Sequence, residues 1–179
     1  MADGILKVGQ ITNSAGSGNI TIGSGVTVNV NRPAFSAYLS SDQSVTDNTA
    51  TKISFDTEFY DTDGAYDTSN YRFTVPTGGA GKYQIYSQAR LVGGDGNLLL
   101  SNMVIRKNGA ATYELSGYWG DANDINAAPS NISALIDLAE TDYLEIYCKI
   151  NTVDGAAGTV DTLAYALYQA YWYGYKIGA

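Results

Sequence analysis

The sequence contains no histidine. That removes the commonest general base, the commonest zinc ligand and every Ser-His or Cys-His mechanism. There is a single cysteine, Cys148. No intrachain disulfide forms, no thiolate zinc site can be built from one sulfur, and secretion through an oxidising compartment gains no support. Charge is scarce too, at 16% of the chain against an average of about 25%. The 10 Lys and Arg are outnumbered by 18 Asp and Glu, for a net charge of −8. Nucleic acids and anionic membrane surfaces are held by clustered cations, so neither is an expected partner. No uninterrupted run of about 18 apolar residues is present, which excludes a membrane-spanning helix. No Gly-rich phosphate loop carries the required Lys-Ser/Thr. Met1-Ala2-Asp3-Gly4-Ile5 has no basic stretch leading into an apolar one, so it is not read as a signal peptide. Synthesis in a cytoplasm is expected, with any exit by another route such as lysis or incorporation into a particle.

What remains is a chain of strands. Hydrophobic residues make up 45%, with 20 Gly, 15 Tyr and only 3 Pro in 179 residues. Aromatic and β-branched segments between small polar turns are an all-β composition. Ile53 and Phe55 alternate with Lys52, Ser54 and Asp56, and the same period places Phe59 on the apolar side. Tyr83, Ile85, Ala89 and Leu91 alternate with Lys82, Gln84, Gln88 and Arg90. Period two is the mark of a half-buried strand. Asn108-Gly109 is the strongest hairpin signal in the chain. Cys148 falls in register with Leu144, Ile146 and Ile150, as a small buried hydrophobe does. Ser40 to Asn48 is polar, with Val45 its one large apolar residue. Trp119 to Ser130 is expected to be a long loop. Residues 160–168 leave helix and strand both open, because Leu163, Ala166, Leu167 and Ala170 have helical spacing while Gln169 onward alternates.

The chain divides at Arg32-Pro33, giving a segment over 1–31 and a head over 32–179. Before the boundary lie three short extended pieces, Ile5 to Ile11, Ile20 to Ile22 and Val26 to Val30, separated by Gly and Ser. Such short strands cannot bury a face alone. They read as a docking or trimerisation segment, with Ile5, Leu6, Val8, Ile11, Ile20 and Ile22 as its contact residues. The wording of Met1 to Ile11 and Gly18 to Ile22 resembles N-terminal regions of small virion proteins of marine and cyanobacterial phages.

In the head, Phe55-Asp56, Gly64-Ala65-Tyr66-Asp67, Phe73-Thr74-Val75-Pro76 and Gly81-Lys82-Tyr83 follow one another. With Phe35-Ser36-Ala37, Asp142 to Ile146 and Trp172 to Ile177, they resemble the signature of complement-C1q/tumour-necrosis-factor-like heads, from about Pro33 onward. The resemblance implies a ten-stranded jelly-roll sandwich that trimerises, with no catalytic activity. On the last strand Tyr171, Tyr173 and Tyr175 take one face and Trp172 and Gly174 the other; both faces are aromatic or small, so Tyr171, Trp172, Tyr173 and Tyr175 are expected at the trimer interface.

Two acidic clusters bear on calcium. Asp61-Thr62-Asp63-Gly64 lacks the later ligands of an EF-hand and reads as a turn. Asp121 to Asn126 is a denser oxygen cluster, and calcium stays open there; no other cofactor is expected. Tyr60, Tyr66, Tyr71, Tyr113, Tyr118 and Trp119 sit at expected strand ends or loops, where aromatic rings stack on sugars or anchor partners. Tyr118 and Trp119, beside Asp121, Asn123 and Asp124, form the candidate ligand site. The expected function is non-enzymatic: a phage virion protein, a trimeric short tail fibre or adhesin. Its N-terminus would attach to other virion proteins and its head to a host surface glycan or protein. A capsid decoration protein or head fibre, and a polysaccharide-degrading tail protein, are the alternatives.

Overall fold

Alternating side chains bury one face of a strand and leave the other wet, and a computed structural model shows what that pattern builds here. It describes residues 32–94, 97–120, 125–164, 167–168 and 170–178, besides Ser24. The proposed docking residues Ile5, Leu6, Val8, Ile11, Ile20 and Ile22 lie outside these, as do Asp121, Asn123 and Asp124. Arg32–Ala179 forms one unit by its internal contacts.

In chain order the strands are β1 (Ala34–Tyr38), β2 (Gln43–Val45), β3 (Thr51–Lys52), β4 (Thr57–Asp61), β5 (Tyr66–Asp67), β6 (Arg72–Thr74), β7 (Gly81–Val92) and β8 (Leu98–Lys107). They continue as β9 (Ala110–Trp119), β10 (Ala127–Leu138), β11 (Tyr143–Thr152), β12 (Gly158–Asp161), β13 (Leu163–Ala164), β14 (Leu167–Tyr168) and β15 (Tyr171–Gly178). The larger sheet has seven strands in the order β2-β12-β7-β15-β1-β4, with β10 along the other edge of β7. The smaller has six, β5-β6-β11-β8-β9, with β3 also on β11. Each sheet is thus built on one long strand, β7 or β11, which holds a continuous partner on one side and two short ones on the other.

The residues facing inward from both sheets form one core. Its centre is aromatic. Phe35 stacks on Phe73 at 4.5 Å between ring centroids, and Trp172 meets Phe35 edge-on at the same distance. Trp172 Nε1 donates to the Tyr66 hydroxyl (3.3 Å), which donates to the Phe55 carbonyl (2.7 Å), so both buried polar atoms are satisfied. Burial raises the Tyr66 phenol well above its ordinary range. Gly174 is where β15 crosses this cluster. A Cβ there would stand 2.6 Å from Ile85 Cδ1 and 2.8 Å from Phe35 Cε1, so the close approach of β15 requires glycine.

Several expectations meet the structure directly. Gly81 to Leu91 buries every second residue. Asn108 and Gly109 have φ of 52° and 80°, the conformation that a type I′ hairpin demands at both positions. Cys148 is fully buried, and desolvation pushes its thiol up to about 12. The polar stretch around Val45 is pinned by two similar clasps. Asp42 Oδ1 accepts from both N and Oγ1 of Thr162, and Asp47 Oδ1 from both N and Oγ1 of Thr152. Asp142 ties two turns together, accepting from Lys107 Nζ (2.7 Å) and Asn108 Nδ2 (2.7 Å). These bonds, that of Lys107 foremost, lower its carboxyl to about 2.

Other expectations are corrected. The stretch from Lys52 to Tyr60 is not one strand. Lys52 pairs with Tyr147 in the smaller sheet, and Ile53 N still donates to Ile146 O, but β4 pairs with β1 in the larger sheet. The chain crosses between sheets at Ile53–Asp56, and the crossing resets the alternation. Ile53 and Phe55 are buried, but Phe59 is 47% exposed and lies against Tyr38. In place of the expected ten strands, the described residues form more and shorter segments, several of them only two or three residues long. Trp119 to Ser130 is not a dozen-residue loop either. β10 begins at Ala127 and carries Pro129, which an edge strand tolerates because it needs no N–H on its open side. Residues 160–168, open between helix and strand in the sequence, are resolved in favour of strand where they are described: Leu163 pairs with Tyr168 and Ala164 with Leu167.

Trp172 fills the centre of the core with no exposed surface. Trp172→Ala should therefore lower stability by about 3–5 kcal/mol, as large-to-small aromatic changes in cores do. Urea unfolding of the two proteins checks this.

Candidate functional site: the tyrosine face of the larger sheet

The site begins with β15. Its even residues, Trp172 and Gly174, face the core. Its odd residues, Tyr171, Tyr173 and Tyr175, face outward. Trp172 is thus corrected from an interface residue to a core residue, because period two sends it to the opposite side from its tyrosine neighbours.

Register extends the outward residues into rows across the sheet. Tyr60, Ser36, Tyr173, Tyr86 and Ser133 are successive partners on β4, β1, β15, β7 and β10. Beside this row lie Tyr38, Tyr171, Gln88 and Asn131, and on its other side Ala34, Tyr175, Gln84 and Leu135. Tyr86 and Tyr173 are stacked at 5.3 Å between centroids, Tyr173 and Tyr175 at 6.5 Å, and Tyr86 lies 6.1 Å from Tyr171. The two ends of the sheet are more exposed than its middle. At the β4 end Phe59 is 47% and Tyr60 50% exposed. At the β10 end Leu135 is 61% exposed. The patch turns the corner there onto edge strand β9, where Tyr113 and Leu115 are exposed and Tyr113 Oη donates to Leu135 O (3.4 Å). A face with this much aromatic and aliphatic surface is the kind that marks a protein contact.

Beside the tyrosines, a cavity of about 350 Å³ is lined by Gln88, Ala89, Arg90, Pro129, Ser130 and Asn131. Tyr86 Oη donates to Gln88 Oε1 (2.9 Å), and Arg90 is ion-paired with Asp161. The lining offers amide and guanidinium hydrogen bonds to a polar ligand.

The ligand residues proposed from sequence fare differently. Tyr118 and Trp119 are the last two residues of β9, paired with Ser101 and Leu100: Tyr118 lies at the strand end expected for it, and Trp119 closes the strand instead of opening the loop. Among the other aromatics, Tyr60 and Tyr113 are exposed, whereas Tyr66 belongs to the core. Tyr71 has a positive φ of 52° in the turn before β6. Asp61 uses its carboxylate on its own turn, accepting from Asp63 N (3.1 Å) and Tyr66 N (2.7 Å). Among the described residues no three His, Cys, Asp or Glu side chains converge to hold a metal. Tyr86 and Leu135 were missed. Their signal was the alternation of β7 and β10 read for its outward rather than its inward side.

The fold these elements make is an all-β jelly roll. Solved structures place it more closely, and the chain has a C1q/TNF-like fold. It is similar to the globular domain of zebrafish complement 1qA protein, with TM-score 0.51 and 17% identity over 82% of this chain and 98% of that one. Murine APRIL at pH 5.0 gives TM-score 0.58 and 10% identity over 82% and 100%. Eiger TNF from S. frugiperda gives 0.54 and 11% over 82% and 92%. No protein-family model matches the chain, and no curated protein does.

Burial, followed by neighbouring phenols, raises Tyr86 and Tyr173 above the ordinary tyrosine value, which is about 10. A raised folded-state value means the folded protein holds these protons longer than the unfolded chain. The stability this adds is complete below about pH 10 and is lost as pH rises through the folded-state values. Tyrosinate absorbance should therefore show a late-ionising fraction in the native protein. Tyr86→Phe and Tyr173→Phe should each diminish it.

Proposed function

We propose that the protein is a non-enzymatic, homotrimeric binding head: a phage virion component whose head contacts a host surface glycan or protein. The observation that carries the assembly is the outward face of the larger sheet. It has two unlike apolar ends, Phe59 and Tyr60 on β4, and Leu135 with Tyr113 and Leu115 at the β10 and β9 edge. They are four strand spacings apart, about 19 Å. Two different patches on one subunit make a heterologous contact, which closes into a ring when the rotation allows. Tyr171, Tyr173 and Tyr175 lie between them and would be covered by the neighbouring subunit. The fold shared with C1q and TNF-type heads supports this reading, as does the lack of histidine for the non-catalytic role. Three copies would raise weak contacts to useful avidity.

The virion assignment rests on the likeness of Met1 to Ile11 and Gly18 to Ile22 to phage virion proteins. Gold-labelled antibody on purified particles tests it. Label at the tail supports the fibre, label over the shell supports the decoration protein, and unlabelled particles contradict both.

Leu135→Asp should disable the edge and Tyr60→Asp the face. Each variant alone should need at least ~10-fold more protein to assemble, equivalent to about 1.4 kcal/mol. A mixture of the two should form dimers, because one intact edge then meets one intact face. Sizing of the separate and mixed variants checks this. A mixture that stays monomeric contradicts the edge-to-face arrangement.

A further inference from the structure

The outward face of the smaller sheet has a different chemistry, and the assembly leaves it unused. On β11 the outward residues are Tyr143, Glu145, Tyr147 and Lys149. Glu145 lies opposite Arg106, Tyr147 opposite Val104 and Lys149 opposite Asn102 on β8. On the other side of β11, Lys52 pairs with Tyr147. The Arg106 guanidinium stands over the Tyr147 ring at 3.9 Å, and the Arg72 guanidinium over the Tyr143 ring at 4.8 Å.

Lys52 is neutralised by Glu145, and Arg72 stands in register with the Asp67 carboxylate. Among the described residues the ion pairs join Lys52 to Glu145, Arg90 to Asp161 and Lys107 to Asp142. Arg72, Arg106 and Lys149 take part in none of them. Arg72 Nε and Arg106 Nε are shielded from solvent, as is Asn102 Oδ1, so a surface ligand meets the Nη ends of the two guanidinium groups. The nearby carboxylates keep their charge but direct their oxygens to other donors. Glu145 holds Lys52 at 2.9 Å, and Glu114 holds Asn102 Nδ2 at 2.6 Å. Asp67, in register with Arg72, accepts from Ser69 N and from both nitrogens of Asn70.

A guanidinium stacked on an aromatic ring has its plane fixed, so its N–H fork is pre-organised for a carboxylate. Between the two arginines and the far end of the strip the surface is polar. It offers the exposed Ser116 and the half-buried Lys149 over the buried Asn102. Arg106 and Asn102 are four residues apart on β8, about 13 Å, which is the span of a short oligosaccharide. The net charge of −8 repels long polyanions. At physiological salt, however, that field is screened beyond about 8 Å, so a short ligand meets the local face.

We propose that this face, centred on Arg72, Arg106, Ser116 and Lys149, binds an acidic oligosaccharide of the uronate type. Its carboxylates sit on the outer guanidinium nitrogens and its hydroxyls on Ser116 and Lys149. The proposal rests on the reading of the head as a binding module, and it names the ligand class and the place.

The test is calorimetric titration of the intact protein with oligogalacturonate, with neutral dextrin of matched length and with polyglutamate, light scattering being recorded on the same samples. Oligogalacturonate should bind with an affinity that falls as salt rises, and dextrin should not bind. The double variant R72Q/R106Q should bind at least ~10-fold more weakly, about 1.4 kcal/mol, with unchanged unfolding midpoint and mass. Arg106→Lys, which keeps the charge but not the fork, should lose most of the binding too. Lys149→Glu, at the solvent edge of the strip, gives a second reading should the double variant not fold. A trimer that ignores oligogalacturonate overturns this proposal and leaves the assembly intact. Binding undiminished in the variants overturns it as well, and polyglutamate bound as tightly overturns the sugar assignment.

Discussion

The structure depends on one strand having two faces. β15 sends Trp172 and Gly174 into the aromatic core and Tyr171, Tyr173 and Tyr175 out of it. Period two couples the assignments, so a slip of one residue would bury three phenols and expose the indole. Glycine at 174 holds the register, since a side chain there would collide with Ile85 and Phe35. Core packing therefore sets where the tyrosine row stands, and with it the outward face on which the proposed assembly rests.

That coupling explains which parts were legible in the sequence. Local rules were readable wherever the chain stays within one sheet. The alternation around Ile85, the Asn108-Gly109 turn and the burial of Cys148 are all decided by nearest neighbours along or across a strand. Reading failed where a non-local event intervened. At Ile53–Asp56 the strand changes sheets, and the inward side changes with it, which is why Phe59 faces water. Pro129 read as loop because the edge position that makes it tolerable is a property of the assembled sheet. Trp172 was grouped with its tyrosine neighbours because an aromatic run shows no obvious inside.

The sites followed the same division. A face made of outward residues from five strands has no sequence motif, so Tyr86 and Leu135 carried no mark of their own. The cation and tyrosine strip of the smaller sheet is likewise drawn from four strands, with Arg72 and Arg106 far apart in the chain. The two faces divide the surface chemistry of an acidic protein. One is aromatic along its middle rows, with opposite charges paired in register at Lys82 and Asp137 and at Arg90 and Asp161. The other gathers Lys52, Arg72, Arg106 and Lys149, four of its 10 cations.

The central claim is that the tyrosine face is a subunit interface. Light scattering of the intact protein at micromolar concentration tests it most directly. The account predicts a mass about three times the 19.0 kDa of one chain. A mass of one chain would leave Tyr171, Tyr173, Tyr175, Phe59 and Leu135 facing water and would contradict it.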